Sequence, residues 1–248
     1  RNSVERMLFV RSWALLGTIH GVPSSGRAAA GAHVAPRMQA ADAAASLTWS
    51  LFSGDKEYSL PLHAAVANNE GPEVVRRLLD AHPDSIRAAT PGGRLPLHVA
   101  AVKSAPVEVV QLLLTADPAG ARTVDNAGRL PLHHAASCYA PAEVVQLLLE
   151  AHPEGAQATN DDGNLPLHYA AWDNAPAEVV RLLLDAYPAG ARAANSGKSL
   201  PLHYAVYRSG PEEVVRLLLD TYPDGAKAMN ERGSLPLHHA AYRDAPME

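Results

Sequence analysis

The chain has 248 residues and a formal net charge of −5, with acidic and basic residues interspersed along it. No strongly basic surface is therefore expected, and nucleic acid and anionic membranes are not predicted partners. The single cysteine, Cys138, cannot form an intramolecular disulfide, so we expect an intracellular, cytoplasmic protein. The longest apolar run, Trp13 to Ile19, is far shorter than the ~20 residues of a membrane-spanning helix, and no membrane span is expected.

Residues 1–56 differ in composition from the rest and are predicted to be an N-terminal extension. The first 38 of them are rich in arginine and contain no acid after Glu5. A basic leader of this kind is typical of a transit peptide, which would direct the protein to an organelle. The alternative is that the chain is a fragment whose natural start is Met7 or Met38. The pattern of residues 40–52 then predicts a short helix.

The rest of the chain, residues 57–248, repeats one phrase. Leu-Pro-Leu-His recurs every 35 residues, and a fixed period of this size predicts stacked supersecondary units. The last copy ends in the turn between its two predicted helices, so we expect the natural protein to continue. The predicted units are five full repeats and one truncated repeat: 60–94, 95–129, 130–164, 165–199, 200–234 and 235–248.

Each repeat is predicted to contain a helix, a turn and a second helix. In the second repeat Pro96 opens the first helix and Pro106 opens the second, at a position where the missing N–H costs nothing. The second helix must end before Pro118, and its Val-Val-x-Leu-Leu-Leu run is apolar enough to lie between two neighbours. On the outer side, Arg181 and Asp185 have the i,i+4 spacing of an ion pair. The predicted fold class is therefore all-α, a solenoid of stacked helix-turn-helix repeats.

The repeated wording also carries a family resemblance. Pro-Leu-His-x-Ala-Ala, followed by Glu-Val-Val-x-Leu-Leu-Leu and then Gly-Ala, resembles the ankyrin repeat from about Tyr58 to the end of the chain. The wording departs from the family pattern because Leu precedes Pro-Leu-His where Thr is usual, and because the period is 35 residues where 33 is usual. The resemblance implies an ankyrin-like α-solenoid whose concave face contacts a partner protein.

The histidines of the repeated phrase are predicted to be structural. Neighbouring packed helices lie ~8–10 Å apart, so two such rings cannot share a zinc ion, which holds each nitrogen at ~2.0–2.1 Å. We expect each ring to hydrogen-bond the backbone of the adjacent loop and to tie two repeats together. The family resemblance implies the same structural role. These residues are His63, His98, His133, His168, His203 and His238.

Two other patterns are weak candidates for chemistry. His134 and Cys138 are four residues apart and offer two metal ligands, but the sequence shows no obvious third or fourth ligand. Ser196-Gly197-Lys198-Ser199 resembles the end of a phosphate-binding loop, but it lacks the first glycine and follows a helix rather than a strand. We therefore predict no catalytic residue, no cofactor and no metal site.

Three variable residues follow the first helix motif of each copy. Trp172, Tyr207 and Tyr242 hold the same place in successive copies and predict an aromatic stripe with one ring every ~8–10 Å. The ankyrin resemblance implies that this end of the first helix lines the concave face. Trp, Tyr and Arg dominate interface energetics, whereas the alternative is that the rings pack on the adjacent repeat. The candidate protein-binding residues are Tyr139, Trp172, Asp173, Tyr207, Arg208, Tyr242 and Arg243.

The predicted function is a non-catalytic protein–protein interaction module or scaffold, acting as a monomer, that binds a partner protein on the concave face of the stack. The alternative is a targeting or regulatory arm of a larger enzyme or channel whose working domain lies beyond residue 248. No motif in the sequence encodes the identity of the partner, so the two hypotheses stay open at this point.

Overall fold

The computed structural model of the chain describes residues 60–137 and 140–243, with side chains described as far as residue 240. Within these ranges it contains eleven α-helices and no strand, so the predicted all-α fold class is confirmed. Each repeat contributes two helices in the expected order. They are α1 (Pro61–Ala67), α2 (Pro72–Ala81), α3 (Pro96–Val102), α4 (Val107–Ala116), α5 (Pro131–Ser137), α6 (Ala142–Ala151), α7 (Pro166–Trp172), α8 (Ala177–Ala186), α9 (Pro201–Tyr207), α10 (Glu212–Thr221) and α11 (Pro236–Arg243).

Some sequence predictions concern residues outside the described ranges. The extension at residues 1–56, the transit peptide and the helix at 40–52 belong to this group, as does Cys138. All of them stay predictions.

The first helix of each repeat begins at the proline of the repeated phrase. In α3, Pro96 is the first helical residue and Leu95 is the N-cap residue in an extended conformation. A proline at this position removes no intrahelical hydrogen bond, because the first N–H groups of a helix have no partner within it. The helix then runs for seven residues and ends at Val102, with Lys103 as the C-cap residue. Each first helix is therefore short and begins at a fixed point of the repeat.

The prolines before the second helices of the later repeats occupy the N-cap position and not the first helical position that the sequence predicted. Pro106 is the N-cap residue of α4, with ψ of 144°, and Val107 is the first helical residue. In the first repeat, where the proline has shifted by one residue, Pro72 does occupy the first helical position. Glu108 stands in the first turn of α4, where the helix dipole favours an acid.

A 3₁₀ turn follows each second helix, and the sequence patterns did not predict it. In the second repeat α4 ends at Ala116, before Pro118, as expected. In the third repeat the turn carries Gly155, where an added Cβ would lie 3.4 Å from a methyl group of Leu132. The glycine thus lets the turn pack closely on the first helix of its own repeat. The five turns are Pro83–Arg87, Pro118–Arg122, Pro153–Gln157, Pro188–Arg192 and Pro223–Lys227.

The core is a layer of Leu, Val and Ala between two rows of helices. Each first helix packs on the first helix of the next repeat, and each second helix packs on the second helix of the next. In α6, Val144 and Val145 are fully buried and Leu148 is 2% exposed. Burial of each such side chain contributes ~1.5–3 kcal/mol. The expectation that the apolar run of the second helix is buried is therefore confirmed.

The loop between repeats is a short hairpin that also bonds to the next loop. The backbone N–H of Asn160 donates to the carbonyl of Asn164 at 3.0 Å, and Asn160 Oδ1 accepts the N–H groups of Asp162 and Asn164. Gly163 has φ of +75°, a conformation that glycine adopts without steric cost. The N–H of Ser196 then donates to the carbonyl of Asp162 at 3.0 Å. Successive loops are thereby joined through their backbones.

The stretch Ser196-Gly197-Lys198-Ser199 is another copy of this hairpin. Lys198 has φ of +55° at the place where Gly163 has φ of +75°. The N–H of Lys198 donates to the carbonyl of Asn195 at 2.9 Å. The prediction that this stretch is a repeat loop is therefore confirmed.

The outer face of the second helices carries ion pairs that differ from the predicted pair. Arg181 contacts Glu213 of the next repeat, and Arg216 pairs with Glu212 at 2.5 Å. The prediction that Arg181 pairs with Asp185 was wrong, because stacking brings the carboxylate of Glu213 beside it. All four paired side chains are more than half exposed, and such pairs contribute only ~0–1 kcal/mol.

Candidate functional site

A ladder of buried histidines lies at the start of the first helices. Nδ1 of His133 accepts the backbone N–H of Leu130 at 3.0 Å, and its Nε2 donates to the carbonyl of Asn164 at 3.2 Å. The second bond reaches the residue that precedes the next repeat. The prediction that these rings tie adjacent repeats together is therefore confirmed for five of the six. For His238, which is exposed and whose Nδ1 accepts the N–H of Leu235 in its own repeat, it stays a prediction. Equivalent Nε2 bonds of 3.0–3.2 Å reach carbonyls 31 residues further on from His63, His98, His168 and His203.

These bonds define the protonation state of the ladder. Because Nδ1 of His133 faces an N–H, it is unprotonated, and Nε2 carries the proton that points to the carbonyl. Burial lowers the pKa of His98, His133 and His168 from 6.5 to about 4, and their hydrogen bonds to backbone carbonyls oppose this shift only in part. Burial also lowers the pKa of His63 and His203. The ladder rings are therefore neutral at pH 7 and act as structural bonds.

A second set of polar pairs, which the sequence reasoning missed, lies beside the ladder. The amide of Asn160 donates to the hydroxyl of Tyr169 at 3.0 Å, and that of Asn195 donates to Tyr204 at 2.6 Å. Each pair joins a loop residue to the residue that follows the ladder histidine, nine positions later. This recurring nine-residue spacing was the available signal. The pairs hold the two tyrosine rings in place beside the end of the first helices.

Asp125 and His134 take the place of this pair in the third repeat. Nε2 of His134 lies 2.9 Å from Oδ2 of Asp125, and the side chain of Arg129 donates to the same oxygen. Burial alone would raise the pKa of Asp125, but hydrogen bonds from the Arg129 backbone, His134 and the Ala127 backbone outweigh it and lower that pKa. Burial lowers the pKa of His134 to about 4. Within the described part of the chain, no three His, Cys, Asp or Glu side chains converge as a metal ion would require.

Trp172 and Tyr207 form a pair of exposed rings, called here the aromatic stripe. They are 38% and 43% exposed. The two rings are stacked, with centroids 5.7 Å apart and planes at 20°, which is closer than the predicted spacing because the rings lean toward each other across the repeat junction. Tyr204 contacts Trp172 edge to face, with centroids 5.3 Å apart. The rings thus contact the neighbouring repeat and still present about two fifths of their surface to solvent.

The remaining candidate residues are placed differently. The guanidinium of Arg208 lies 5.2 Å from the centre of the Trp172 ring, and Arg208 Nε donates to the carbonyl of Trp172 at 3.0 Å. The carboxylate of Asp173 accepts a hydrogen bond of 2.7 Å from the hydroxyl of Ser137, on the other side of the stripe. Three candidates lie outside the described side chains, and their roles stay predictions: Tyr139, Tyr242 and Arg243.

The backbone restricts the third variable residue of each copy. Four of these residues have φ between +50° and +57°: Asn69, Ser104, Asn174 and Ser209. This left-handed region is accessible to asparagine and costly for most other side chains. The backbone therefore limits the choice of residue at the third variable position, and the first two positions have the greater freedom.

Two cavities flank Tyr204, one at each of two successive repeat junctions. The cavity at the junction of the fourth and fifth repeats, called here the 4–5 cavity, has a volume of about 240 Å³. It is lined by Asn164, His168, Tyr169, Trp172 and Tyr204. The cavity at the junction of the fifth and sixth repeats is called the 5–6 cavity. The 5–6 cavity, about 400 Å³, has a lining that includes His203, Tyr204, Tyr207, Glu231, Arg232 and His239. Residues at equivalent places in the repeat line both cavities, because His203 and Tyr207 lie 35 positions after His168 and Trp172. The two cavities are therefore copies of one site, repeated along the stack.

The repeats also match two family models. The first, described as ankyrin repeats in three copies, matches residues 107–194, and the second, a single ankyrin repeat, matches residues 199–228. This is an ankyrin-repeat protein. None of the curated proteins matches the chain.

Ankyrin repeats are in general protein–protein interaction modules, and the family is typically non-catalytic. The matched part of this ankyrin-repeat protein includes both rings of the aromatic stripe and Arg208, which lies on it. In the described ranges, no helix has the length and apolar character needed to cross a lipid bilayer.

Proposed function

We propose that this ankyrin-repeat protein binds a partner protein on the face that carries the aromatic stripe, the ends of the first helices. The observation that carries this proposal is the exposure of Trp172 and Tyr207, two large rings that occupy the same place in successive repeats. The family resemblance implies that this end of the first helix lies on the concave, partner-facing side, which supports the proposal. The residues that form the two helices of each repeat are nearly the same in every copy, whereas the residues at the end of the first helix differ between copies.

The rings are suited to binding because they are already ordered. The stacking of Trp172 on Tyr207 and the hydrogen bond from Arg208 to the Trp172 carbonyl fix three side chains in the free protein. Ordering a side chain at an interface otherwise costs ~0.5–1.5 kcal/mol. Trp, Tyr and Arg are also the residue types that most often dominate the energy of an interface. The stripe therefore has both the composition and the rigidity of a binding surface.

The experiment that tests this function replaces both rings. Trp172→Ala combined with Tyr207→Ala is expected to lower the recovery of partner proteins in a pull-down at least tenfold. The matched control is Gln111→Ala together with Gln146→Ala, on the exposed side of the second helices, which should leave recovery unchanged. Partner recovery that is equal for the stripe variant and the wild-type protein would assign binding to another surface.

A second measurement separates binding from packing. Melting temperatures of the same variants show how much of the effect comes from the fold. Partner loss with a melting temperature within a few degrees of wild type supports the binding role. A large fall in melting temperature with the partner still bound would make the two rings part of the core.

A further inference from the structure

Two equivalent cavities one repeat apart can bind a ligand that carries similar groups at a regular spacing. We propose, building on the proposed function, that the 4–5 and 5–6 cavities hold two successive turns of a polyproline II segment of the partner protein. Each cavity takes one proline side chain, and the two prolines lie three residues apart in the partner. Three properties of the cavities support this occupant: the charge of the lining, the hydrogen-bond groups beside it and the spacing.

Most of the residues that line the two cavities are uncharged. The 4–5 cavity is formed by two aromatic rings of Tyr, one of Trp, an asparagine and the neutral ladder ring of His168. In the 5–6 cavity the charged side chains are Glu231 and Arg232, which are exposed and of opposite sign. A charged partner side chain placed on such a lining would lose its hydration without a matching charge. The complementary occupant is therefore uncharged and apolar, as proline is.

The rings beside the cavities offer hydrogen-bond donors. Among the described residues, neither the indole N–H of Trp172 nor the hydroxyl of Tyr207 has a hydrogen-bond partner, and both side chains are more than a third exposed. An indole N–H can only donate. A polyproline II segment has no internal hydrogen bonds, so its backbone carbonyls are free to accept. An α-helical segment has its carbonyls occupied by its own N–H groups, and would leave the two donors without acceptors.

The spacing of the cavities fits the same conformation. The two cavities lie at the ends of neighbouring first helices, and packed helices are in general ~8–10 Å apart. In a polyproline II helix, residues three apart lie on the same side at a distance of about 9 Å. In a β-strand, residues on the same side are about 7 Å apart at the closest, which does not match. One proline in each cavity, with two residues between them, therefore follows the repeat of the protein.

Trp172 stands between the two sites. It lines both the 4–5 and the 5–6 cavity, and its ring stacks on Tyr207 and contacts Tyr204. The ring of Trp172, with that of Tyr204, thus stands between the two prolines, and its indole N–H supplies a donor there. This position makes Trp172 the residue on which the proposal depends most strongly.

The test measures the binding of labelled peptides to the full chain by fluorescence anisotropy. The probes are decaproline, a twelve-residue repeat of Pro-Ala-Ala, a repeat of Pro-Ala of the same length, an alanine-based helical peptide with leucine at every seventh position, and a Gly-Ser peptide. Decaproline and the Pro-Ala-Ala repeat are expected to bind, and the Pro-Ala repeat about threefold more weakly than the Pro-Ala-Ala repeat, because its prolines are not three residues apart. The Gly-Ser peptide should not bind.

Variants of the protein assign the binding to these cavities. Trp172→Phe keeps a ring but removes the donor, and should weaken decaproline binding about threefold to tenfold. Trp172→Ala should abolish it. Val102→Ala, at the equivalent place in the second repeat, is the matched control and should leave the affinity unchanged. A melting curve of each variant verifies that it is folded.

Several results would overturn the proposal. If the helical peptide binds more tightly than decaproline and loses affinity in Trp172→Ala, the face binds a helix, and only the polyproline assignment fails. If no peptide binds but the double ring variant loses its partner in the pull-down, the assignment fails again and the function stands. If decaproline binds Trp172→Ala as tightly as the wild-type protein, its site is elsewhere. If the double ring variant and the wild-type protein recover the partner equally in the pull-down, the proposed function fails, whatever the peptide measurements show.

Discussion

The two ends of the first helices α7 and α9 differ in burial and in chemistry. At the start of the helix, the histidine ladder is buried, and its rings bond to the backbone of two adjacent repeats. At the other end, the aromatic stripe is exposed, and its rings touch one another instead of the backbone. A position that must satisfy two fixed backbone groups tolerates one residue type, whereas a position at the solvent edge is open to change. In the proposed function, stability and recognition are thus separated by the length of a seven-residue helix.

The largest expected effect comes from acid, which acts on the ladder and leaves the stripe chemically unchanged. The folded pKa of His98, His133 and His168 is about 4 and the unfolded value is 6.5. Between these values the unfolded chain binds more protons, so stability falls as the pH falls from 6.5 toward 4. Each histidine contributes a slope of ~1.4 kcal/mol per pH unit. Urea unfolding at pH 7, 6 and 5 should therefore show a steep loss of stability.

The carboxylate of Asp125 does not interfere with this measurement, because it titrates outside the pH range in which the histidines act. Its pKa is lowered in the folded protein, so its contribution is lost only as the pH falls below about 4, the unfolded value of an aspartate. Its titration therefore does not contribute to the change between pH 7 and 5. A free energy of unfolding that stays constant over that range would show that the ladder rings titrate normally.

The next largest effect should follow from removing one ring of the ladder. His133→Ala deletes two hydrogen bonds and leaves the buried N–H of Leu130 without its partner, whereas the carbonyl of Asn164 keeps its bond from the N–H of Asn160. An unsatisfied buried group costs ~1–3 kcal/mol and the space left by the buried ring adds to this, so we expect a loss of ~2–4 kcal/mol in chemical denaturation. His82→Ala, at an exposed histidine, is the control and should cost less than ~0.5 kcal/mol. Similar losses for the two variants would remove the distinction between ladder and surface.

A smaller effect is expected at the stripe. Trp172→Ala and Tyr207→Ala each remove a ring that is about two fifths exposed, and an aromatic pair contributes ~0.5–1.5 kcal/mol beyond area burial. The double variant should lose less stability than His133→Ala, and a double-mutant cycle should give a coupling energy of ~0.5–1.5 kcal/mol. A coupling energy near zero would mean that the stacked arrangement does not persist in solution.

The smallest effect is expected in the loops between repeats, where it depends on the backbone conformation of one residue. Lys198→Gly is expected to raise stability by ~0.5–1 kcal/mol, because Lys198 has φ of +55° and glycine adopts this conformation freely. Gly163→Ala is the reverse change at the equivalent place, where an added Cβ would lie 2.9 Å from the backbone nitrogen of Ser196. It should destabilise the protein. Thermal unfolding of both variants checks the two signs, and a gain for Gly163→Ala would contradict the loop geometry.

The sequence alone determined the repeat, the two helices of each unit and the role of the ladder. A 35-residue period and a Pro-Leu-His phrase specify where each first helix begins, and a buried polar ring must find a backbone partner. These features are local or repeat exactly, so one copy predicts the others. The apolar run of the second helices was also sufficient to predict burial between neighbours.

Only the tertiary structure decided how equivalent positions in adjacent repeats meet. The stacking of Trp172 on Tyr207, the pairing of Arg181 with Glu213 and the contact of Arg208 with Trp172 all join residues 32–36 positions apart. Such contacts depend on the offset and tilt between repeats, which the packing of whole helices sets and which no local pattern encodes. The cavities arise in the same way, because each is lined by residues of three successive repeats.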